Sequence, residues 1–234
     1  MTDVFGKGLL TYFGGNRKVK FKVESDVAET EYWPVAEFFH SYEQMSDIER
    51  RALSMCKGLT LDVGAGSGCH ALWLCQNGID AHAIDISDGA VEVMLQRGLT
   101  NVRKINFFEL TYPTYDTLLF LMNGAGIAGT ISNLPQFLCK AKELLNPGGQ
   151  ILLDSSDLIY LYQNDDGSAD IDLNGRYYGE LEYTFTFNKE KGEPFPWLFV
   201  DPDTLAAVAE SCGLRCEIVL QNKHYQYLAK LTIE

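Results

Sequence analysis

An acid followed by glycines at alternate positions marks the stretch of this chain that is best suited to chemistry. Asp62 precedes Gly64, Gly66 and Gly68, and a helix is predicted to start directly afterwards. Glycine has no Cβ, so such a backbone lets a ligand approach closely. The following helix points its free N–H groups into the same turn. The stretch predicts a ligand site at the end of a buried strand, and the alternative is a tight turn without a ligand.

A second acid follows 21 residues after the first of these glycines. Asp85 ends the next predicted strand, and in an open α/β sheet both loops lie at the carboxyl edge. A carboxylate there can accept hydrogen bonds from both hydroxyls of a ribose, and such charge-assisted bonds are strong. We therefore expect a cofactor that contains a nucleoside, either S-adenosylmethionine (SAM) or a nicotinamide dinucleotide.

The spacing of the glycines distinguishes these two cofactors. The dinucleotide fingerprint, G-x-G-x-x-G, would place its third glycine at Cys69, whose side chain would crowd the pyrophosphate. The spacing therefore disfavours a dinucleotide. It resembles instead the acidic-x-Gly-x-Gly-x-Gly motif of SAM-binding proteins, and an NAD(P)-dependent oxidoreductase on a similar fold is the alternative.

The composition allows one α/β domain with an elaboration. The chain has 234 residues, 46% hydrophobic and 22% charged, which is enough for a sizeable core. Its net charge of −13 repels phosphate backbones and anionic lipids, so nucleic acid and membranes are poor partners. The six cysteines show no paired C-x-x-C spacing, so we expect no metal site and a reducing, cytoplasmic compartment. No apolar run follows the acidic start, so we expect no signal peptide.

The elements that would position these residues alternate between strands and helices. Ser46 and Glu49 form a capping box that begins a helix, and strands and helices then alternate as far as Asp154. This order predicts a mostly parallel sheet. Strict apolar–polar alternation over 180–187 predicts an antiparallel strand, with residues 197–200 as its partner. The chain closes with a helix and a predicted hairpin.

Residues 1–45 show no clean hydrophobic period, and aromatic residues recur in them. They are interpreted either as a helical extension packed on the core or as a cap over a ligand site. We predict a cap or lid at 1–45 and a cofactor-binding domain at 46–234, with an insertion at about 158–200.

Three motifs together resemble the class I SAM-dependent methyltransferases of the small-molecule type, over about residues 46–234. They are the acid with alternate glycines, the run Asp85-Ile86-Ser87, and the turn at 145–150, which is similar to L-x-P-G-G. The resemblance implies a Rossmann-like three-layer α/β sandwich. Its seven-stranded sheet would be mostly parallel with an antiparallel C-terminal strand. An N-terminal helical cap and a β insertion after strand five would complete it.

The resemblance also implies roles for individual residues. Asp62 would face the SAM ammonium, Asp85 would hold the ribose hydroxyls, and Ile86 would pack on the adenine. Asn106 stands where the family usually places an acid for the adenine amino group, and its amide oxygen is a weaker acceptor. The full set expected to bind SAM, or its product S-adenosylhomocysteine (SAH), is Asp62, Gly64, Ala65, Gly66, Gly68, Asp85, Ile86, Asn106, Phe107, Met122 and Asn123.

Some of these positions have structural alternatives. Asn106 could cap a helix, Phe107 could lie in the core, and Asn123 could be a turn residue. Residues 122–126 contain no proline, whereas methyltransferases of exocyclic DNA amino groups carry an Asn/Asp-Pro-Pro-aromatic run after strand four. A Cys after a Pro, expected of a cytosine C5 enzyme, is also absent there. The sequence therefore argues against DNA as the acceptor.

No catalytic base stands out in the sequence. His40 in the predicted cap and Asp157 just past strand five are the candidates, while His70 is more typical of a packing or capping residue. The aromatic cap and insertion predict a small, partly apolar acceptor pocket, lined by Tyr12, Trp33, Asn123, Tyr160 and Trp197. We predict methyl transfer from SAM to an O, N or C nucleophile of a small molecule. The alternative is a SAM-binding sensor or scaffold that transfers nothing.

Overall fold

The computed structural model describes residues 2–164, 166, 168–172 and 174–234. Its α-helices are α1 (Val4–Phe13), α2 (Asp47–Met55), α3 (Cys69–Gln76), α4 (Asp88–Gln96), α5 (Leu134–Glu143) and α6 (Pro202–Ser211). Its strands are β1 (Lys20–Ser25), β2 (Glu31–Pro34), β3 (Thr60–Val63), β4 (Ala81–Asp85), β5 (Val102–Lys104), β6 (Tyr115–Phe120), β7 (Leu145–Ser156), β8 (Glu180–Phe187), β9 (Glu190–Lys191), β10 (Phe195–Leu198), β11 (Leu214–Gln221) and β12 (Gln226–Ile233). Short 3-10 helices span Val35–Phe39, Tyr42–Gln44, Phe107–Glu109, Gly124–Ala128, Ile131–Asn133 and Leu158–Tyr162.

The large sheet has seven strands in the order β11-β12-β7-β6-β3-β4-β5. The strands from β7 to β5 run parallel to their neighbours, and β12 is antiparallel to both β7 and β11. This topology confirms the predicted Rossmann-like sandwich with an antiparallel strand near the C-terminus. It also brings the ends of β3, β4 and β6 to one edge, where the glycine loop lies.

Both faces of the large sheet are covered by helices. On one face, Leu61 and Leu118 pack in a cluster with Phe137 of α5. On the other face, Leu119 packs in a cluster with Leu53 of α2 and with residues of α3 and α4. The strands are therefore apolar on both sides, which is why the central segments read as nearly continuous hydrophobic runs. Among the described residues, no helix combines the length and apolar character that a membrane crossing requires.

The predicted capping box at the start of α2 is present. The backbone N–H of Glu49 donates to Ser46 Oγ at 3.2 Å, and the N–H of Ser46 donates to Glu49 Oε2 at 2.8 Å. These bonds satisfy two donors that the first helical turn would otherwise leave unpaired. They also fix the side chain of Glu49 at the amino end of α2.

A second sheet combines two segments that are far apart in the sequence. Its strand order is β10-β8-β1-β2, and β1 pairs antiparallel with both β2 and β8. The predicted helical cap is present as α1, but the N-terminal segment continues as β1 and β2. We call residues 2–45 together with 180–198 the cover.

An aromatic core holds the cover together. Phe21 of β1 is fully buried, and its ring stacks on Phe185 of β8 with centroids 5.5 Å apart. The ring of Phe21 also contacts Phe5 of α1 and Phe38 of the first 3-10 helix. Each partner comes from a different element, so Phe21 links the helix, the turn and the sheet of the cover.

Replacing Phe21 with Ala is expected to lower the free energy of unfolding by about 3–5 kcal/mol, the usual cost of deleting a buried ring. Tyr32→Ala is the matched control, because Tyr32 pairs with Lys22 of β1 but is 63% exposed. The control should change stability by about 0.5 kcal/mol or less. Urea denaturation measures both variants. Equal, small losses in the two would contradict the central position of Phe21.

Candidate functional site

The glycine loop adopts a backbone that side chains disfavour. Gly64, Gly66 and Gly68 have φ values of +70°, +57° and +82°, in the left-handed region where glycine is favoured. A Cβ on Gly68 would also lie 2.8 Å from the side chains of Leu99 and Met94. The alternate glycines are therefore required by the turn itself, and at Gly68 also by the lack of space for a side chain.

Asp85 holds the glycine loop beside the end of β4. Its Oδ2 accepts a hydrogen bond from Gly66 N and its Oδ1 accepts one from Ser87 N, both at 2.9 Å. Burial raises the pKa of this carboxyl group above its ordinary value. Each carboxylate oxygen can accept a further bond, so Asp85 retains acceptor capacity for hydroxyl groups. The next residue, Ile86, is 69% exposed and lies free at the rim.

The start of the chain docks directly on this region. Asp3 Oδ1 accepts from Gly6 N of α1, while its Oδ2 accepts from Ser87 Oγ and from Gly89 N of α4. The two helices meet so closely that a Cβ on Gly89 would collide with the backbone of Gly6. The cover is thus anchored next to the acid that ends β4.

Asp62 and Asp154 are buried acids on the face of the large sheet that carries α2 and α3. Asp62 Oδ2 accepts from Ala71 N of α3 at 3.2 Å, and Asp154 Oδ1 accepts from Gly124 N at 2.9 Å. Burial raises the pKa of both carboxyl groups, that of Asp154 to about 6. Both acids therefore lie where a positively charged ligand group would be stabilised.

Residues after β6 occupy the centre of the same edge. Met122 and Asn123 both have left-handed φ values, +62° and +58°. Asn123 Oδ1 accepts a hydrogen bond from Ser156 Oγ at 2.8 Å, and the side chain of Met122 is 41% exposed. The strained turn presents Met122 to the open side of the edge and ties Asn123 to the end of β7.

The two residues predicted to contact the adenine, Asn106 and Phe107, make contacts within the protein. Asn106 Oδ1 accepts from Phe108 N at 3.0 Å and caps the 3-10 helix that follows β5. Phe107 is 3% exposed and packs against Phe120 and Phe137 in the core. These contacts match the structural alternatives for both positions, while Asn106 stays exposed enough to meet a ligand.

The predicted acceptor residues lie in three places. Trp33 and Trp197 join one aromatic chain through Tyr183 and Phe195, and Trp197 packs against Gly126 in the loop after Asn123. Tyr12 instead contacts Phe39, and Tyr160 stacks on Tyr225. Of the predicted aromatic acceptor residues, Trp33 and Trp197 are therefore the two that the second sheet brings towards the loop around Gly126.

The two predicted catalytic candidates have different surroundings. Asp157 Oδ1 accepts from the Tyr178 hydroxyl at 2.7 Å and from Ile159 N at 2.9 Å, so it caps a 3-10 helix. His40 Nε2 lies 2.7 Å from Glu49 Oε1, and His70 Nε2 lies 2.9 Å from the same oxygen. Sequence reasoning missed this cluster, because Glu49 is recognisable only as a capping residue and His70 only as part of α3.

The ligand atoms of these three side chains lie within 4.8 Å of one another. Two imidazoles and a carboxylate are also a donor set for divalent metals. Here Glu49 Oε1 lies at hydrogen-bond distance from one nitrogen of each imidazole, so hydrogen bonds join the carboxylate to both rings. Neither His40 nor His70 is exposed, and Glu49 is buried.

The fold and the glycine–Asp85 geometry define a class I methyltransferase, and comparison with known proteins agrees. A family described as a methyltransferase domain matches residues 61–153. A SAM-dependent methyltransferase from Bacteroides fragilis, solved with SAH, is 43% identical. Its superposition has a TM-score of 0.92 and covers 99% of this chain and 94% of that one. The chain therefore belongs to the SAM-dependent methyltransferase family.

More distant proteins share the fold or part of the sequence. The CcbJ methyltransferase from Streptomyces caelestis is 15% identical with a TM-score of 0.62, covering 82% of this chain and 94% of that one. A demethylmenaquinone methyltransferase from Tropheryma whipplei is 29% identical over 114 residues, which are 44% of this chain. The match spans 46% of that relative, less than half of its length.

The raised pKa of Asp154 predicts a pH-dependent stability. A folded-state pKa of about 6 exceeds the ordinary value near 3.9, so its stabilising contribution is complete below about pH 4 and is lost as the pH rises through 6. Asp154→Asn keeps an oxygen acceptor for Gly124 N. We expect this variant to gain about 1–3 kcal/mol in unfolding free energy near pH 8 and nothing near pH 4.

Chemical denaturation of the ligand-free protein at the two pH values measures this effect. Asp88→Asn is the control, because the side chain of Asp88 is 74% exposed. The stability of Asp88→Asn should depend on pH in the same way as that of the wild type. An Asp154→Asn variant that is less stable than wild type at both pH values would contradict the assignment of a buried, destabilising charge.

Proposed function

We propose that this chain transfers the methyl group of SAM to an O, N or C nucleophile of a small-molecule acceptor. The observation that carries the proposal is the bond between Gly66 N and Asp85 Oδ2. It sets the glycine loop beside a buried carboxylate that can accept further hydrogen bonds. A ribose with its diol on Asp85 and its remaining atoms along the loop fits this arrangement.

The other cofactor residues are assigned by position. Asp62 is proposed to stabilise the SAM ammonium, Ile86 to pack on the adenine beside Asn106, and Met122 with Asn123 to border the methyl group. SAM supplies an activated methyl group when bound. The task of this chain is then to hold the acceptor in line with that methyl group and to exclude water.

The acceptor is proposed to be small and partly apolar. The matched relative from Tropheryma whipplei is named for demethylmenaquinone, and the aromatic chain from Trp33 to Trp197 would suit an apolar partner. The net charge of −13 disfavours nucleic acid and anionic membranes as partners. The six cysteines are free thiols, which is typical of the reducing cytoplasm that we propose as its location.

The domain assignment follows from the same arrangement. We propose that residues 46–234 hold SAM, and that the cap at 1–45 and the insertion at about 158–200 enclose the acceptor. Support comes from the second sheet, in which β1 of the cap pairs with β8 of the insertion.

Replacing Asp85 should weaken SAH binding, because a charge-assisted hydrogen-bonding partner of the ribose is lost. We expect Asp85→Ala to cost about 1.5–3 kcal/mol of binding free energy, measured by isothermal titration calorimetry. Asp80→Ala is the matched control, because Asp80 is exposed at the opposite end of β4. Unchanged SAH affinity in a folded Asp85→Ala variant would remove the ribose assignment. Failure of the wild type to bind SAH would overturn the proposed function.

The tryptophans of the cover are predicted to act on the acceptor more than on the cofactor. A metabolite screen by thermal shift in the presence of SAH should identify an acceptor. Trp33→Ala and Trp197→Ala should then raise KM for that acceptor while SAH affinity changes little. Trp73→Ala is the control, because Trp73 lies on α3 and stacks on Tyr42, apart from the aromatic chain that joins Trp33 to Trp197.

Two results would contradict this role of the cover. Loss of SAH binding in proportion to activity in both variants would place the tryptophans in the cofactor site or the core. Tight SAH binding by a wild type that turns over no small molecule in the screen would favour the sensor or scaffold.

A further inference from the structure

The cluster of His40, Glu49 and His70 has no role in the function proposed so far, although it lies beside the site. His40 belongs to the cover, Glu49 to the first turn of α2 and His70 to the first turn of α3. All three meet at Glu49 Oε1. The hydrogen bonds at each nitrogen determine where the protons reside.

His40 carries a proton on both ring nitrogens. Its Nδ1 lies 2.6 Å from the carbonyl oxygen of Glu37, and its Nε2 lies 2.7 Å from Glu49 Oε1. Both partners are acceptors, so both nitrogens donate and the ring is an imidazolium. The hydrogen bond to Glu49 raises the pKa of His40 accordingly. The charge of Glu49 is therefore balanced by His40.

Glu49 is held as a carboxylate. Burial would raise the pKa of Glu49, but the hydrogen bonds from His40 and His70 outweigh it and hold this pKa well below its ordinary value. Its second oxygen accepts from Ser46 N in the capping box. An ionised carboxylate can only accept, so the proton between Glu49 and His70 belongs to His70 Nε2.

The proton on Nε2 leaves a lone pair on His70 Nδ1. His70 is 5% exposed, and within the described part of the chain its Nδ1 has no hydrogen-bond partner. Glu49 already accepts from the imidazolium of His40, and its bond with His70 requires a proton only on Nε2. The carboxylate thus fixes the proton on Nε2 and leaves Nδ1 as the nitrogen that can accept one.

The topology places His70 near the proposed position of the methyl group. Asp62 on β3 and Asp154 on β7 flank β6, because the strand order is β7-β6-β3. Asp62 Oδ2 accepts a hydrogen bond from Ala71 N, the residue after His70, so the first turn of α3 lies against the end of β3. β6 is the strand next to β3, and its end leads directly into Met122 and Asn123.

We propose that His70 Nδ1 is the general base of methyl transfer and that Glu49 is its positioning residue. This proposal rests on the function proposed above and concerns acceptors that carry an O–H or N–H group. The bond from the acceptor heteroatom to the methyl carbon forms as the S–CH₃ bond breaks and the electron pair stays on sulfur. The acceptor proton passes to His70 Nδ1, and solvent removes it afterwards. The arrangement follows the logic by which a carboxylate fixes a histidine tautomer in hydrolases.

Several titratable and charged groups surround His70. They are Glu49 from α2, His40 from the cover, Asp62 from β3 and Asp154 from β7, while Arg97 at the end of α4 acts on His40. Glu49→Gln should alter the pH profile of turnover, because an amide can also donate and no longer enforces a proton on Nε2.

The first test is nitrogen-detected NMR of histidine-labelled protein saturated with SAH, over about pH 6 to 9. We expect one histidine with a protonated Nε2 and a bare Nδ1, whose signals vanish in His70→Gln. Glu49→Gln should shift this ring towards the other tautomer. His82→Gln is the matched control, because His82 lies on β4 beside Tyr115 and outside the cluster. A proton on His70 Nδ1 near neutral pH in the SAH complex would overturn the proposal, and this result needs no variant.

The second test is turnover with the acceptor from the thermal-shift screen, together with SAH affinity. His70→Gln should lower kcat by about 100-fold or more, the usual scale of general base catalysis, with SAH affinity nearly unchanged. Glu49→Gln should lower kcat and shift the pH profile, and His82→Gln should match wild type. Undiminished kcat in His70→Gln would overturn the proposal, as would activity that EDTA abolishes and a divalent metal restores. Failure of the wild type to bind SAH would instead overturn the proposed function.

Discussion

The bonds that Asp85 makes across two loops are the interaction on which the rest of the site depends. Its carboxylate ties Gly66 to Ser87, so the glycine loop and the end of β4 are held at one distance. Ser87 in turn caps α4 and donates to Asp3, which anchors α1. The glycine loop and the docking of the cover are therefore parts of one hydrogen-bond network. A change at Asp85 would affect the position of both.

The cover has a different construction from the domain beneath it. The domain is assembled from strands and helices that alternate along the chain and form one large sheet. The second sheet needs β1 to pair with β8, so about 160 residues separate its strands. Its stability comes from the aromatic core around Phe21, where rings from α1 and both strands meet. The cover therefore has its own core and its own sheet, while Asp3 attaches it to α4 of the domain.

Local features of the sequence predicted the domain well, because each depends on residues that are close in the chain. The alternate glycines, the capping box at Ser46 and the closing hairpin are of this kind. β1 was harder to predict, since its alternation over residues 20–23 is short. Phe21 is buried because rings from α1, the first 3-10 helix and β8 pack around it. The cluster at Glu49 could not be predicted either, because its three side chains come from separate elements and meet only in the folded protein.

This cluster joins the cover to the proposed chemistry through a single charge. His40 belongs to the cover, and its imidazolium both attaches that segment to α2 and balances Glu49. Without this contact, Glu49 would be a buried carboxylate that lacks its charged partner. The contact that attaches this part of the cover to α2 therefore also stabilises the carboxylate that, in the proposed mechanism, positions His70.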